Sequence, residues 1–266
     1  IDGTSVDSNT AYYYGGGIHC LYSSPTISNN IITYNVVTNA STGGVSTGGG
    51  GISCHGSYAY IIGNTITDNT TEYAGAGILI GGGDSGDPGA PEIVGNLIAL
   101  NNADSLDPGI SSHGGGIAYS GGSQPLIANN IISGNHALTR GGGIHCSDVP
   151  PSPARLVNNT IYGNESSLGG GICCVANAST LVNSILWNNT AQTGSQIATS
   201  CAHGGSSFTI DYCNVTDGVD GLDVPGDCSL FFGENNISVD PGFADDDYRL
   251  GYGSPCIDAG DNTVLQ

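Results

Sequence analysis

The stretch "GGGIHC" occurs twice in the chain, at Gly15–Cys20 and again at Gly141–Cys146. An identical run of six residues at two distant places indicates a repeated structural unit. Its first four residues recur as GGGI or GAGI at six places, and these runs end at Ile18, Ile52, Ile78, Ile117, Ile144 and Ile172. The chain is therefore predicted to be a tandem-repeat protein.

A second motif, I-x-x-N, follows each glycine motif, always in the same order. Its isoleucines are Ile32, Ile66, Ile98, Ile132, Ile161 and Ile185. An asparagine precedes each of them by two residues, at Asn30, Asn64, Asn96, Asn130, Asn159 and Asn183. The spacing of the motifs changes only in two segments of the unit, which we interpret as surface loops on a constant frame.

Each unit is predicted to form three short strands. The first is G-I-x-C, the second is like residues 26–28 and the third is like residues 31–34. All are β-branched or aliphatic, are separated by Gly, Pro and Asn, and lack the length or period of a helix. Because one such unit cannot bury its own apolar face, successive units must stack. The predicted fold class is all-β: a parallel β-helix of about seven coils, with three short strands in each coil.

We divide the chain into three parts. Residues 1–14 are a lead-in or partial coil, residues 15–215 form the coils, and residues 216–266 form an acidic loop and a C-terminal capping segment. A β-helix exposes unpaired strand edges at its ends, and we expect the tail after Asp240 to cover one of them. The chain has no methionine, which indicates a processed chain or a fragment. At the N-terminal end of the β-helix we expect the strand edges to be covered by a missing upstream segment or by a second copy of the molecule.

Stacked coils place equivalent residues in columns along the axis. The isoleucines of the second motif form one inward column, and in "GGGIHC" Ile18 and Cys20 point inward while His19 points outward. The asparagines that precede the second motif occupy a sharp corner, since Asn tolerates the left-handed conformation. Their amides are also expected to hydrogen-bond along the axis as a structural ladder. This ladder contains Asn30, Asn64, Asn96, Asn130, Asn159 and Asn183.

With these motifs in hand, the chain resembles secreted right-handed parallel β-helix proteins of the pectate-lyase-like superfamily. The alternation of GGGI with I-x-x-N is similar to the GGA[ILV] and FxxN repeats of polymorphic outer-membrane proteins, with Ile in place of Phe. The tail "SVDPGFADDDYRLGYGSPCIDAGD", Ser238–Asp261, is similar to the closing segment of many bacterial β-helix surface proteins. The resemblance covers about residues 15–261 and implies a right-handed β-helix. It does not imply one activity, because the superfamily contains lyases, hydrolases, adhesins and structural shafts.

Composition excludes several classes of partner. The chain has 23 acidic residues against three basic ones and a formal net charge of −20, so nucleic acid is not expected as a partner. It has no run of about 18 apolar residues and therefore no predicted membrane span. Nine cysteines without a C-x-x-C pair favour a compartment outside the cytosol. We therefore expect an extracellular or cell-surface location.

Catalytic groups are sparse on the predicted outer surface. Lyases of the resembling superfamily use an Arg or Lys base with calcium-binding aspartates, and its hydrolases need clustered carboxylates, about 5–9.5 Å apart for glycoside cleavage. The outward column of the first strand contains His19, Ser53, Leu79, Ala118, His145 and Cys173. It holds no carboxylate, and its two histidines lie at least three coils apart, so we interpret both as exposed strand residues.

One acidic loop is a candidate calcium site. "DGVDGLDVPGD" contains Asp217, Asp220, Asp223 and Asp227. Hard cations take oxygen ligands from such loops, although this one lacks EF-hand spacing. The alternative is a solvated acidic loop. We expect no other cofactor.

The cysteines divide into two groups. Cys20 with Cys54, and Cys146 with Cys174, come from adjacent coils of one inward column. Parallel, in-register Cβ vectors suit a disulfide poorly, so we expect buried free thiols at these four positions. Cys213 and Cys228 flank a loop and are the expected disulfide.

Eight N-x-[ST] sequons are candidate glycosylation sites in a host that glycosylates, and carry no meaning otherwise. They are Asn39, Asn69, Asn158, Asn164, Asn177, Asn188, Asn214 and Asn236.

Three functions remain open from the sequence. The leading hypothesis is a non-catalytic extracellular structural or surface scaffold, which could stack head to tail into a homopolymer. The first alternative is a carbohydrate-active β-helix enzyme, either a polysaccharide lyase or a glycoside hydrolase. The second is a glycan-binding adhesin module, with glycans as partners.

Overall fold

The fold is taken from a computed structural model. It describes the chain except residues 39–46, 84–87, 106, 108–109, 148–152, 176–177, 201–206, 227 and 265–266. The described residues form four parallel β-sheets and one short 3-10 helix, Gly218–Gly221, with no α-helix. We number the sheets 1 to 4 in the order in which a coil visits them after its glycine motif.

The strands of sheets 1 and 2 follow the glycine motif. In the described residues, sheet 1 consists of Ile18–Leu21, Ile52–His55, Ile78–Gly81, Ile117–Ser120, Ile144–Ser147, Ile172–Val175, Ile197–Ser200 and Leu222–Asp223. Sheet 2 consists of Thr26–Ser28, Tyr60–Ile62, Glu92–Val94, Leu126–Ala128, Arg155–Val157, Thr180–Val182, Ser207–Asp211 and Ser229–Phe232.

Sheets 3 and 4 complete each coil. In the same described ranges, sheet 3 consists of Ser5–Asp7, Ile31–Thr33, Thr65–Thr67, Leu97–Ala99, Ile131–Ser133, Thr160–Tyr162, Ile185–Trp187 and Asn214–Val215. Sheet 4 consists of Thr10–Ala11, Val36–Val37, Thr70–Thr71, Asn102–Ala103, His136–Arg140, Glu165–Leu168 and Thr190–Thr193.

Every strand pairs in parallel with its equivalent in the next coil. Ile18 lies opposite Ile52, and Ile144 lies opposite Ile172. The predicted parallel β-helix is therefore confirmed. In the described residues, sheet 4 adds seven further strands that the sequence did not reveal. Several of its members have only two residues, such as Val36–Val37, and so few residues show no periodicity.

The core is a set of apolar columns inside the four sheets. Ile52, Ile66 and Ile93 are fully buried, and each has an equivalent residue one coil above and one below. Burial of one such side chain contributes about 1.5–3 kcal/mol. One core residue, Tyr119, is not purely apolar. Its side chain is buried, and its hydroxyl lies 2.9 Å from the Ser179 Oγ. These columns are the main stabilising element of the fold.

The glycine motif forms a corner where adjacent coils approach closely. Gly141, the first residue of one motif, has φ +63°, a conformation that L side chains rarely adopt. A Cβ on Gly143 would lie 2.6 Å from the carbonyl oxygen of Gly171 in the next coil. Glycine is therefore required for both backbone conformation and coil spacing.

The expected asparagine ladder lies at the corner between sheets 2 and 3. The Asn30 backbone and side-chain amides both donate to Asn64 Oδ1 at 2.9 Å, and Asn64 Nδ2 donates to the Ile27 carbonyl. The same arrangement continues through Asn96, Asn130 and Asn159. All five are buried.

Asn183 does not belong to this ladder. The next acceptor after Asn159 is Ser184 Oγ, whose distance from the Asn159 backbone nitrogen is 3.1 Å. Asn183 has φ +54°, like Asn29 and Asn129, which also come immediately before a ladder residue. The left-handed conformation is thus adopted by the residue before the ladder position, and the prediction placed it one residue too late.

The same one-residue shift affects the last repeat. Leu186, not Ile185, pairs with Ile161 in the inward column of sheet 3, and Leu186 is fully buried. The sequence "NSILWNN" offers two overlapping matches to the motif. A slip of one residue in a strand exchanges its two faces. The predicted alignment of this unit was therefore wrong.

A second asparagine ladder runs along the corner between sheets 3 and 4. Asn69 Nδ2 donates to Asn101 Oδ1 at 3.0 Å and Asn101 Nδ2 donates to Asn135 Oδ1 at 3.0 Å. The ladder contains Asn9, Asn35, Asn69, Asn101, Asn135, Asn164 and Asn189. The asparagine of most I-x-x-N motifs therefore links adjacent coils through its side-chain amide.

Strand pairing extends on both sides of residues 15–215. Ser5–Asp7 and Thr10–Ala11 pair with the next coil, and Ser229–Phe232 continues sheet 2. The tail after Asp240 contacts the side of the solenoid, where Tyr248 packs on Tyr162 with ring centroids 4.7 Å apart. We expected this tail at the end of the axis. It lies mainly along the outer face of sheet 3, and it reaches the end strand of that sheet at Asn214, whose Nδ2 donates to Cys256 Sγ.

Candidate functional site

The outer face of sheet 1 is the strongest candidate site. The register confirms the predicted order of the outward column, in which Ala118 pairs with His145 and His145 pairs with Cys173. His19 is exposed as expected, but the remaining predicted positions of the column are buried. His145 is only 5 % exposed and Cys173 is fully buried. The segment before one glycine motif lies beside this column, where Ala74 packs on Leu79 and Ala118.

Two histidines that the sequence separates meet on this face. His113 precedes a glycine motif, and its ring stacks on His145 with centroids 4.6 Å apart and an interplanar angle of 26°. Tyr73 lies edge-on to His113 at 5.7 Å. The prediction that His145 was an isolated, exposed strand residue was wrong, because loop residues of the preceding coil cover it.

A cavity of about 260 Å³ opens beside these rings. Its walls include Tyr73, His113, Arg140, His145 and Ser147. Within the described residues Arg140 has no ion-pair partner, whereas Arg249 pairs with Asp245 and Asp247. The cavity thus combines an aromatic ring, imidazole nitrogens and a guanidinium group.

Burial keeps both imidazoles neutral. It lowers the pKa of His113 to about 4, with a smaller contribution from the charge of Arg140. Burial also lowers the pKa of His145 well below its usual value, and His113 and Arg140 add to this effect. The His145 ring is hydrogen-bonded to the Cys173 backbone. Its Nδ1 is buried without a partner, as is the Nδ1 of His113, so each offers an unused polar atom.

A smaller aromatic cluster lies on the same face near His19. Tyr14 stacks on His19 at 5.4 Å and lies edge-on to His55 at 4.7 Å. The Ser53 hydroxyl lies 3.2 Å from His55 Nδ1. Sequence reasoning missed His55 and His113 because it considered only the second residue of each first strand. The available signal for His113 was its position directly before a glycine motif.

The cysteine predictions need two corrections. Cys146 and Cys174 are disulfide-bonded, with Cα atoms 4.7 Å apart. The bond shows that side chains on adjacent parallel strands can reach disulfide geometry here, so the expectation of free thiols at these two positions was wrong. Cys213 is a free, buried thiol whose pKa burial raises to about 12. Since Cys228 is disulfide-bonded, it is not bonded to Cys213.

The acidic loop is only partly described. Asp217 is the N-cap residue before the 3-10 helix, Asp220 lies within the helix, and both are exposed. Asp223 extends the outer column of sheet 1 beyond Ala198. In the described residues no three His, Cys, Asp or Glu side chains form a group that could hold a metal ion. Asp227 lies outside those residues, so calcium binding at this loop stays a prediction.

The sequons are unequal in accessibility. Asn69 and Asn164 are fully buried members of the second ladder, and Asn214 is also buried. These three cannot receive a glycan in the folded chain, which corrects the prediction that they were available. Asn188 is exposed, and its Nδ2 donates to the Tyr162 hydroxyl. Asn236 is half-buried and donates to the Ile210 carbonyl.

Asn158 is half-buried at the corner between sheets 2 and 3, while Asn39 and Asn177 lie outside the described residues.

A larger cavity of about 460 Å³ lies near Asn158, between the tail and sheet 3. It contains Asn183, whose side chain accepts from and donates to the Asp261 backbone. Residues of the tail, including Cys256 and Gly260, form one of its walls.

The fold and these columns define a parallel β-helix solenoid with one histidine-lined outer face. The family model described as "right handed beta helix region" matches residues 2–204. The match covers more than half of the chain, so the protein belongs to the right-handed β-helix family. Neither the curated proteins nor the solved structures yield a match. In the described residues, no helix has the length and apolar character needed to cross a bilayer.

Proposed function

We propose that the protein is a non-catalytic extracellular or cell-surface scaffold. The observation that carries the proposal is the pair of asparagine ladders. Each ladder links successive coils through buried amides at about 3 Å, as between Asn64 and Asn96 and between Asn69 and Asn101. Buried, fully satisfied polar networks make a structure rigid. A rod of this kind suits a protein whose role is to hold surface loops in fixed positions.

The disulfides support the proposed location. Cys146–Cys174 and the disulfide of Cys228 are of a kind that persists in oxidising compartments and is rare in the cytosol. The net charge of −20 favours solubility and discourages non-specific association. These features agree with a secreted protein.

The outer face of sheet 1 offers little for glycoside cleavage. Its outward column reaches a carboxylate only at Asp223, beyond Ala198 in the described register. Glycoside hydrolysis needs two carboxyl groups about 5–9.5 Å apart. In the described residues, the glycoside hydrolase alternative therefore lacks the required pair of carboxyl groups on this face.

End-to-end association is part of the scaffold proposal. In the described residues, Ser5–Asp7 pairs along one edge only, whereas the outer edge of Asn214–Val215 is bridged by Ile237. Unpaired strand edges are templates for pairing with another chain. Sedimentation velocity over a hundredfold concentration range is expected to show species larger than a monomer. A monomer at every concentration would contradict this part of the proposal.

Glycan binding is the second candidate, and the histidine cavity favours it. Tyr73 supplies an aromatic surface, Arg140 supplies donors, and His145 Nδ1 is a buried acceptor without a partner. Such a mixture matches the alternating apolar and hydroxyl surfaces of a sugar ring. The volume of about 260 Å³ suits one sugar unit.

One set of variants separates these functions. We propose to incubate the chain with neutral and acidic polysaccharides and to measure new reducing ends, unsaturated products and binding heat. The scaffold proposal expects no turnover. Turnover that disappears in His145→Ala and persists in His136→Ala, a half-exposed histidine outside the cavity, would overturn it. Binding without turnover, lost in His145→Ala alone, would establish the glycan-binding candidate.

A further inference from the structure

One inward column of sheet 1 contains two pairs of cysteines. Cys146 and Cys174 are Cα partners on adjacent strands, and they are bonded. Cys20 and Cys54 are also Cα partners on adjacent strands of the same sheet, at the same position of the repeat. The second pair is present as free thiols. The bonded pair therefore shows that this backbone position can hold a disulfide.

The two thiols of the second pair are in contact. Cys20 and Cys54 are hydrogen-bonded to each other through their side chains. Cys20 is 6 % exposed and Cys54 is fully buried. The hydrogen bond from Cys54 lowers the pKa of Cys20, and the same contact together with burial raises the pKa of Cys54 well above its usual value. Cys20 is thus the first of the two to become a thiolate, which is the reactive form.

Two other described free cysteines, Cys173 and Cys213, lack such a neighbour. Cys173 lies between His145 and Ala198 in the register of sheet 1. Cys213 lies between Ser184 and Asn236 in the continuation of the first ladder. Neither has a cysteine on the adjacent coil, so they serve as internal controls for oxidation.

We propose that Cys20 and Cys54 form a reversible oxidation site that closes to a second disulfide between coils by exchange with a small-molecule disulfide. The Cys20 thiolate attacks one sulfur of the reagent and releases the first reagent thiolate. The Cys54 thiol then loses its proton and attacks the Cys20 sulfur of the mixed disulfide. This forms the Cys20–Cys54 bond and releases the second reagent thiolate. Two electrons pass from the pair to the reagent. The proposal does not depend on the scaffold or glycan function.

The test uses the native full chain and oxidised glutathione. After incubation, remaining thiols are alkylated, the chain is digested without reduction, and the peptides are identified by mass. We expect a peptide linked through Cys20 and Cys54, two fewer reactive thiols than in the untreated chain, and reversal by a small thiol reductant. Absence of the linked peptide from folded chain, or its appearance only after denaturation, would overturn the proposal.

Variants distinguish the two steps. In Cys54→Ala the second attack is impossible, so Cys20 should accumulate as a stable mixed disulfide with glutathione. In Cys173→Ala the Cys20–Cys54 link should form as in the unmodified chain. A Cys54→Ala chain whose Cys20 remains unmodified would contradict the proposed order of attack. Circular dichroism of each variant confirms that it is folded, and the unmodified chain alone still decides whether the link forms.

Discussion

The His113 and His145 rings stack across two neighbouring coils, 4.6 Å apart, and the Nδ1 atom of each is buried without a hydrogen-bond partner. The pair lies on the outer face of a sheet whose interior is occupied by apolar columns. Its surroundings bring one of the three arginines of the chain, Arg140, to the same cavity. Because burial lowers the pKa of both histidines, the stability of the folded chain should depend on pH.

The first prediction concerns pH. The pKa of His113 is lowered from 6.5 to about 4 by burial, so the unfolded chain takes up a proton before the folded chain does. The stability that this neutral ring contributes is complete above about pH 6.5 and is lost as the pH falls toward 4. Urea unfolding of His113→Ala should therefore show a weaker pH dependence in this window, by up to about 1.4 kcal/mol per pH unit.

The control for the pH prediction is His136→Ala, which removes a half-exposed histidine on sheet 4. Its pH dependence should follow that of the unmodified chain more closely than His113→Ala does. Equal slopes for the unmodified chain and His113→Ala would show that His113 does not resist protonation.

The second prediction concerns the ladders. Asn101→Ala removes the acceptor of both Asn69 amides and the donor to the Ile66 carbonyl, all of which are buried. Buried polar groups left without partners cost about 1–3 kcal/mol each, so we expect a loss of at least about 3 kcal/mol in the free energy of unfolding. Asn235→Ala, at an exposed position without a positive φ, removes an exposed hydrogen bond to Asp211 and should change it by less than about 1 kcal/mol. Similar losses in chemical denaturation would contradict a special role for the ladder.

The third prediction concerns the disulfide between coils. Cys174→Ala removes the bond to Cys146, which closes a loop with a sequence separation of 28. A loop of this size corresponds to about 3.5 kcal/mol of stabilisation in the chain-entropy account. Cys173→Ala, its buried free neighbour, should cost less. Calorimetric Tm values that rank the two variants in the opposite order would refute the prediction.

The fourth prediction concerns coil spacing. In Gly143→Ala the new Cβ would lie 2.6 Å from the Gly171 carbonyl oxygen. Relief of this clash requires a shift of the Gly171 backbone, which is held by backbone hydrogen bonds between coils. We expect a loss of at least about 3 kcal/mol or failure to fold. Gly226→Ala has nothing within 4 Å and no positive φ, so it should be neutral within about 0.5 kcal/mol. Expression and thermal unfolding of the pair give the comparison, and equal stability would argue against close packing at the corner.

Much of the fold was predictable because parallel in-register stacking makes each residue meet its own equivalent. Ile32 and Ile66 share a motif position, and they pair in the structure. The same logic placed Asn30 beside Asn64. It failed at Ile185, where two overlapping motif matches differ by one residue and the apolar face alone decides between them.

The candidate site was much less predictable. His145 was placed in the correct column, but its burial depends on residues such as Tyr73 and His113 from outside the repeated strands. The path of those segments is not encoded in a motif, since their sequence differs from coil to coil. Likewise, the spacing of Cys146 and Cys174 put them on adjacent coils, while only the structure showed that their side chains are oriented to form a bond.

By itself the sequence determined the repeat, the parallel stacking and the inward columns, because hydrophobic burial and strand pairing act on every coil in the same way. Tertiary structure alone decided that His113 meets His145, that Ser184 replaces an asparagine in the ladder, and that the tail lies along sheet 3. The physical reason is that these contacts join residues with no shared position in the repeat, so their geometry depends on the loop path and on a one-residue register.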